Sequence, residues 1–441
     1  VSDAKTKSSL SVPNQVLGII SLMYLTLYID RVNIATAGPA MTLELGISNA
    51  DFGLAVSAFA WPYTILQLLG GWLGDRLGAR RMLALSGVMV CAATMLTGLV
   101  GGLTSLMAAR LALGFGEGAA FPTATRALAS WLPEKNWGFA QGIIHAAARL
   151  GNAASAPLVA ALVLGLSWRA SFVVLGAISL IWVVLWLWRF RDDPRQHPGM
   201  SSDSIAELRP TSATAARVPW FALMRRMLPV TAVDFCYGWT LWVFLTWIPS
   251  FFAKNYHLDL RHSAWFTAGV LLAGVVGDSV GGAASDWIYR RTGDIGAARR
   301  NVIIVGMLGG FAFLVPVVSA SNLTTVAICL SGACFFVELI VGPLWSVPMD
   351  IAPRYAGSAS GMMNFGFGLS GIISPYIFGA MVDWTGSWTL PFLGSIVLLP
   401  VGAGLAFLMH ANRPFIEPSA RLPAALPRSA SADSRLGSHR A

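Results

Sequence analysis

The sequence predicts an all-α membrane protein, with twelve transmembrane helices in two pseudo-symmetric six-helix bundles and both termini cytoplasmic. Three observations carry that expectation. Of the 441 residues, 55% are hydrophobic, only 12% are charged and 17 are Trp, which suits a polytopic membrane chain better than a string of soluble domains. Twelve apolar stretches approach the roughly 20 residues that a helix needs to cross a bilayer. One short motif also occurs twice. Gly71-Trp72-Leu73-Gly74-Asp75-Arg76-Leu77-Gly78-Ala79-Arg80-Arg81 lies between two apolar runs, and Gly282-Ala283-Ala284-Ser285-Asp286-Trp287-Ile288-Tyr289-Arg290-Arg291-Thr292-Gly293 lies between two more. Each copy sets small residues before an Asp and then a basic cluster beside a Gly, so the chain reads as two repeated membrane-embedded halves.

Taken in order, a short cytoplasmic segment (1–15) leads into the first bundle (16–190). Its apolar stretches cover 16–37, 52–74, 83–101, 105–131, 138–164 and 168–190. A linker rich in Pro, Ser, Thr and Arg (191–225) joins the second bundle (226–410), with stretches at 226–252, 263–288, 299–319, 323–349, 356–382 and 386–410. The tail, 411–441, is polar and Pro/Ala/Ser-rich and is expected to be disordered. Hydrocarbon offers no partner to so many backbone groups, so the stretches must be helices. Their many Gly and Pro residues are normal where neighbouring helices pack closely. The start of the chain has no cleavable signal pattern, and the first stretch is expected to serve as its own insertion signal.

The net charge of +9 does not point to nucleic acid, because its placement is topological. Lys5, Lys7, Arg76, Arg80, Arg81, Lys135, Arg191, Arg195, Arg290, Arg291, Arg299, Arg300 and Arg413 fall in alternate connections. The opposite connections offer chiefly Arg169, Lys254 and Arg261, beside Glu44, Asp51 and Asp259. That asymmetry places both termini inside. Cys91, Cys236, Cys329 and Cys334 lie within apolar stretches and read as packing residues. A membrane enzyme would need a metal cluster or a nucleophile–base set, and none of suitable spacing occurs among only six His. A sensor would need a sizeable soluble output domain, and no ATP site is visible.

Ionisable side chains inside a membrane cost several kcal/mol unless paired or facing water, so each marks a candidate site. The first half carries Asp30 and Arg31, Arg110 and Glu117, and Arg149. Arg110 and Glu117 are seven residues apart and share a helix face. The five are expected to converge on one interior cavity with one surplus positive charge, which favours an anion. The planar fork of Arg suits a carboxylate. Asp30 and Glu117 are the candidates for proton coupling. The structural alternative is that Asp30–Arg31 and Arg110–Glu117 are ion pairs and nothing more. Asp278 and Glu338 are each either a second coupling acid or a helix-pinning group, and His145 either lines the cavity or bonds a backbone carbonyl. Asp234 is placed at a gate.

Among aromatic residues, Tyr28, Trp61, Tyr63, Tyr237, Trp239, Trp242, Trp247 and Trp345 can stack a substrate. Two or three of them are expected to do so, Tyr28 first. Gln67 and Asn364 can bond a hydroxylated ligand. The repeated motifs read as latches at the cytoplasmic face. Gly71 allows close approach, Asp75 and Asp286 cap a helix or pair with Arg, and Arg76 and Arg290 supply the cations. Arg126 and Asp350 are expected to add gate ion pairs.

These residues resemble the major facilitator superfamily, whose loop motif the copies around Asp75 and Asp286 match. More narrowly, Tyr28-Ile29-Asp30-Arg31-Val32-Asn33, Ser57-Ala58-Phe59-Ala60-Trp61-Pro62-Tyr63, Arg110 to Gly118 with Ala120-Phe121-Pro122, Ser130-Trp131-Leu132-Pro133 and Asp350-Ile351-Ala352-Pro353 resemble its anion:cation symporter family. The resemblance covers about 400 residues. It implies a major facilitator fold in the bacterial inner membrane, a functional monomer with no cofactor beyond the coupling proton, and proton-coupled uptake of an organic anion by alternating access. It assigns proton carriage to Asp30 and Glu117 and substrate charge recognition to Arg31 and Arg110. Arg149 departs from sugar-acid members by adding a cation, which leaves sugar acids, dicarboxylates, aromatic carboxylates and sulfonates open as substrates. Proton-independent facilitation or exchange, and export of acidic metabolites, are the rival readings.

Overall fold

The computed structural model describes residues 11–132, 137–200, 205–206, 208 and 218–415, without the side chains at 68, 70–76, 129, 137–139, 141, 354 and 356. Its first half comprises α1 (Val12–Leu45), α2 (Asn49–Leu77), α3 (Ala79–Thr97), α4 (Leu103–Gly118), α5 (Ala120–Trp131), α6 (Trp137–Gly165) and α7 (Trp168–Arg189). The second comprises α8 (Trp220–Asn255), α9 (Leu260–Thr292), α10 (Ile295–Ser319), α11 (Leu323–Glu338), α12 (Val341–Ile351), α13 (Ala356–Thr385) and α14 (Leu393–Leu405). Counting α4–α5 and α11–α12 as one broken rod each, the described residues form six rods per half. Among the described residues, ten stretches are long and apolar enough to cross a membrane. The rods α2 and α4–α5 are not among them.

Local sequence sets the helix ends. Gly46, in the left-handed region at φ 63°, closes α1 with its N–H on the Thr42 carbonyl. Ser167, Asp259, Asp294 and Asn322 each cap a helix start with a side-chain oxygen. The breaks in the two fourth rods correct the expectation of continuous helices over 105–131 and 323–349. The breaks, at Ala119 and at Leu339–Ile340, lie three to four residues before a proline, Pro122 or Pro343, whose ring has no N–H for the carbonyl of Gly118 or Leu339. Prolines elsewhere, such as Pro157 and Pro375, are carried within continuous helices.

Among the described residues, two large buried apolar clusters and a small one of Ala156, Ala160 and Ala264 hold the molecule together. One large cluster fills the first half around Ile20, Leu83, Trp131 and Trp186 and reaches Trp242 of α8. The other fills the second half and extends into the first at Val32, Ile34, Phe52 and Val56. Small residues bring rods together: a Cβ on Gly277 of α9 would lie 2.0 Å from the Phe335 carbonyl oxygen of α11.

The halves meet along α1–α8, α2–α13 and α6–α9. Their closest approaches reach from mid-rod to the end away from the basic α2–α3 and α9–α10 turns. There a Cβ on Gly53 would fall 2.3 Å from the Pro375 carbonyl oxygen. The Asp383 carboxylate at the end of α13 accepts the backbone N–H of Ala50 and the Asn49 side-chain amide, each at 2.7 Å. The molecule is therefore closed at that end.

Candidate functional site

Arg31, midway along α1, meets Glu117 in the last turn of α4. The guanidinium donates from Nε to Glu117 Oε2 at 2.9 Å, with a second, closer contact from Nη2. Both side chains are buried. The rings of Tyr28, Tyr63 and Phe59 lie 4.7, 4.8 and 5.1 Å from the guanidinium carbon, and an aromatic face attracts such a cation. Tyr28 follows from helical spacing, three residues before Arg31 on the same face.

Arg110 lies two turns before Glu117 on α4, 1% exposed, with the Phe59 ring 5.1 Å away. Its Nε and Nη2 have no hydrogen-bond partner, and neither has Glu117 Oε1. Burying unpaired charged donors is costly. Arg31 and Arg110 share the wall of a cavity of about 10 Å³ with Val32, Ile34, Val56, Trp242, Leu245 and Thr246. That is room for about one water molecule. One guanidinium is thus committed and the other is not.

The predicted five-charge convergence is only partly realised. Asp30 points at α7, where Ser179 Oγ donates to its Oδ2 at 2.6 Å, because consecutive helical residues diverge by about 100°. Neither predicted ion pair, Asp30–Arg31 or Arg110–Glu117, is the one formed. Arg149 turns to the other half, donating from Nε to Asp278 Oδ2 at 3.3 Å, with Nη2 3.0 Å from Glu338 Oε2. Its charge therefore faces two carboxylates, and the single positive surplus counted from the first half becomes a single negative excess.

Of the remaining predicted ligands, Tyr63 is buried against Arg31 and Trp242 lines the cavity, its indole N–H donating to the Phe367 carbonyl at 3.1 Å. Gln67 is buried with Nε2 unpartnered. Tyr237 stacks on Phe367 and Asn364 is buried on α13. His145 sits between the rings of Tyr24 and Trp345. Trp61 is a correction. It is 54% exposed and continues an apolar stripe with Ile65 and Leu69, since two residues of helix turn it about 200° from Tyr63. Phe59, whose ring lies against both guanidiniums, and Thr246, on the cavity wall, were not among the expected ligands.

At the basic end, Arg299 donates from Nε to Asp350 Oδ2 and from Nη1 to Asp286 Oδ1, both at 3.1 Å, and to Ser285 Oγ at 2.9 Å. Asp286 and Asp350 are joined through one cation, all within the second half. Their cation is Arg299, one turn into α10, while Arg290 is exposed. Arg126 is exposed on α5. The side chains of Gly71, Asp75 and Arg76 lie outside the described residues. Beside them, Asp192 accepts the Arg80 backbone N–H at 2.8 Å and so caps α3.

Two helical halves closing around buried, opposed charges are the architecture of a membrane transporter. The chain belongs to the Major Facilitator Superfamily, whose family profile matches residues 20–375. It is 46% identical over 402 residues to the probable sulfoacetate transporter SauU of Cupriavidus necator, covering 90% of this chain and 94% of that protein. It is 31% identical to the D-galactonate transporter of Escherichia coli, covering 87% and 92%. It is also 31% identical to the hexuronate transporter of Bacillus subtilis, covering 83% and 87%. Among solved structures, an inward-facing bacterial homologue of the lysosomal transporter Spinster matches with a TM-score of 0.76 at 17% identity, covering 92% of this chain and 98% of that one. A D-xylose–proton symporter matches with a TM-score of 0.73 at 16% identity, covering 92% and 99%. These two establish the fold alone.

Proposed function

We propose that the protein imports a small organic anion across the bacterial inner membrane by proton symport with alternating access, and that a short sulfonate–carboxylate such as sulfoacetate is the substrate. The observation that carries this reading is Arg110, buried with two unpartnered donors beside the Arg31–Glu117 pair on one cavity wall. The 46% identity to a probable sulfoacetate transporter supports the substrate class. In this reading the basic end faces the cytoplasm.

The chemistry follows from the pairing. While Glu117 is ionised it occupies Arg31, and only Arg110 can receive an anion. A proton on Glu117 frees Arg31, so that two guanidinium forks face the cavity and fit a ligand with an acidic group at each end. Loss of that proton on the cytoplasmic side restores the Arg31–Glu117 pair and expels the ligand. Asp30, held by Ser179 one residue from Arg31, is the second proton carrier. Trp242 and Thr246 supply an apolar wall and a hydroxyl from the second half. Inward proton movement drives the cycle: two protons neutralise the two charges of the anion, and each proton moving down one unit of pH yields about 1.4 kcal/mol.

Uptake of labelled sulfoacetate, galactonate and glucarate into proteoliposomes, with and without an imposed pH gradient, tests this. Sulfoacetate accumulation driven by external acid, with weak uptake of the sugar acids, is the expected result. Counterflow that ignores the pH gradient, without accumulation, would replace symport by exchange. Transport of cations or neutral solutes alone would end the anion reading.

A further inference from the structure

Arg149 brings together two acids that the proposed cycle does not use. Glu338 is the last residue of α11, at the break in the fourth rod of its half, and Pro343 follows five residues later. Glu117 stands at the corresponding break in the first half, in the last turn of α4, with Pro122 five residues later. The internal repeat therefore sets one buried glutamate at the same structural joint in each half. Glu117 meets an Arg of its own half, whereas Glu338 meets Arg149 of the other.

The site is built for its acids. Gly274 of α9, one turn before Asp278, leaves the space that Glu338 fills. A Cβ there would lie 2.9 Å from Glu338 Cγ and 2.9 Å from Cys334 Sγ. The side chains of Arg149, Asp278 and Glu338 are 10%, 19% and 4% exposed. Glu338 Oε2, though 3.0 Å from Arg149 Nη2, makes no aligned hydrogen bond. The other titratable groups facing the cluster are Tyr28 from α1, His145 from α6, Tyr237 from α8 and Cys334 from α11.

One guanidinium between two carboxylates leaves an excess negative charge away from water, which is expensive unless a cation or proton joins it. The guanidinium belongs to the first half and both carboxylates to the second. Any rocking that parts α6 from α9 removes the cation and leaves two neighbouring acids, and two close carboxylates do not both stay ionised. We propose that Asp278 and Glu338 form a second proton-binding site, in the second half of the transporter, with Arg149 as its resident cation in the state closed at the end away from the basic loops. This rests on the proton-coupled reading and deepens it. The pair takes up one proton as Arg149 withdraws and gives it back as Arg149 returns.

The test is the proton-to-substrate ratio, read in proteoliposomes at clamped membrane potential as the sulfoacetate gradient at which net flux vanishes for a series of pH gradients. The unaltered protein is read first. A flux that ignores the pH gradient there defeats proton coupling as a whole, before any variant is made. Given coupling, Glu338→Gln and Asp278→Asn should each carry one proton fewer per substrate. An unchanged ratio in both overturns the second site while leaving symport through Glu117 intact. A variant with no net flux is read by sulfoacetate counterflow, which needs no proton release. Retained counterflow supports the site, and its loss in both variants, with melting temperature unchanged, assigns the acids to translocation itself and overturns it.

Discussion

Replacing Arg110 by Met separates what the residue costs the protein from what it gives the ligand. Arg110 is 1% exposed, with Nε and Nη2 both unpartnered. Two donors aimed at one anion make two charge-assisted hydrogen bonds, each contributing about 1.5–3 kcal/mol. Losing even one weakens binding about 10- to 150-fold. At a ligand concentration of 100 times Kd, binding stabilises the parent protein by about 2.7 kcal/mol. If Kd rises about 100-fold, the same concentration stabilises the variant by only about 0.4 kcal/mol, so the ligand-induced rise in Tm nearly vanishes. The ligand-free variant should melt no lower than the parent, and preferably higher, because an apolar side chain replaces a buried charge without partners. Thermal unfolding of both proteins with and without sulfoacetate provides all four values. A variant that melts well below the parent without ligand, yet keeps the full ligand-induced rise, would refute the argument. It would mean that Arg110 holds the fold and leaves the anion to other groups.

Three further outcomes follow from named contacts. Trp61→Ala should leave sulfoacetate affinity within about twofold, because the ring faces outward, whereas Tyr63→Leu removes an aromatic face worth about 0.5–2 kcal/mol to the Arg31 guanidinium and should raise Kd correspondingly in the same titration. Gly53→Val places atoms where only 2.3 Å separates the Cβ position from the Pro375 oxygen. It should hold the closed end apart, so that Asn49→Cys, in a background without the four buried cysteines, reacts faster with a membrane-impermeant maleimide; an unchanged rate would exclude this packing as the closing contact. Outside the membrane, the backbone N–H and ring of His262 hold the Asp259 carboxyl below its ordinary range. A lowered folded-state pKa means that the cap is present above the ordinary carboxylate range and is lost as pH falls through the lowered value. Protection from hydrogen exchange in the first turn of α9, taken relative to the intrinsic rate at each pH, should therefore fall in acid, and Asp259→Ala should show that low protection at neutral pH.

How far the sequence was legible depended on whether a feature is local. Helix positions follow from apolar length, which acts within one segment. The helix breaks at Ala119 and Leu339 were also written locally, in Pro122 and Pro343, but an apolar run alone does not reveal them. Pairing was not legible in the same way. Arg31 chose Glu117 over its neighbour Asp30, and Arg149 chose two acids more than a hundred residues away, because mutual approach depends on how rods pack and not on spacing within a rod. Counting charges in the first half gave a positive surplus that the two acids of the second half reverse. Trp61 stood inside a family-like motif, yet the turn of the helix put it outside. Arg299 was visible only as one more basic loop residue until α10 brought it between Asp286 and Asp350.

The Asp383 carboxylate serves the start of α2 from across the boundary between halves. A helix cap contributes only about 1 kcal/mol, and water can take over each of these bonds once the halves separate. The fastening is therefore nearly balanced between made and unmade. A carrier that turns over needs that balance, because a clasp several kcal/mol deep would favour one face of the membrane and slow every cycle by orders of magnitude. Asp383 illustrates how such a molecule keeps time: it uses a contact specific enough to be remade on every stroke and weak enough to be released on the next.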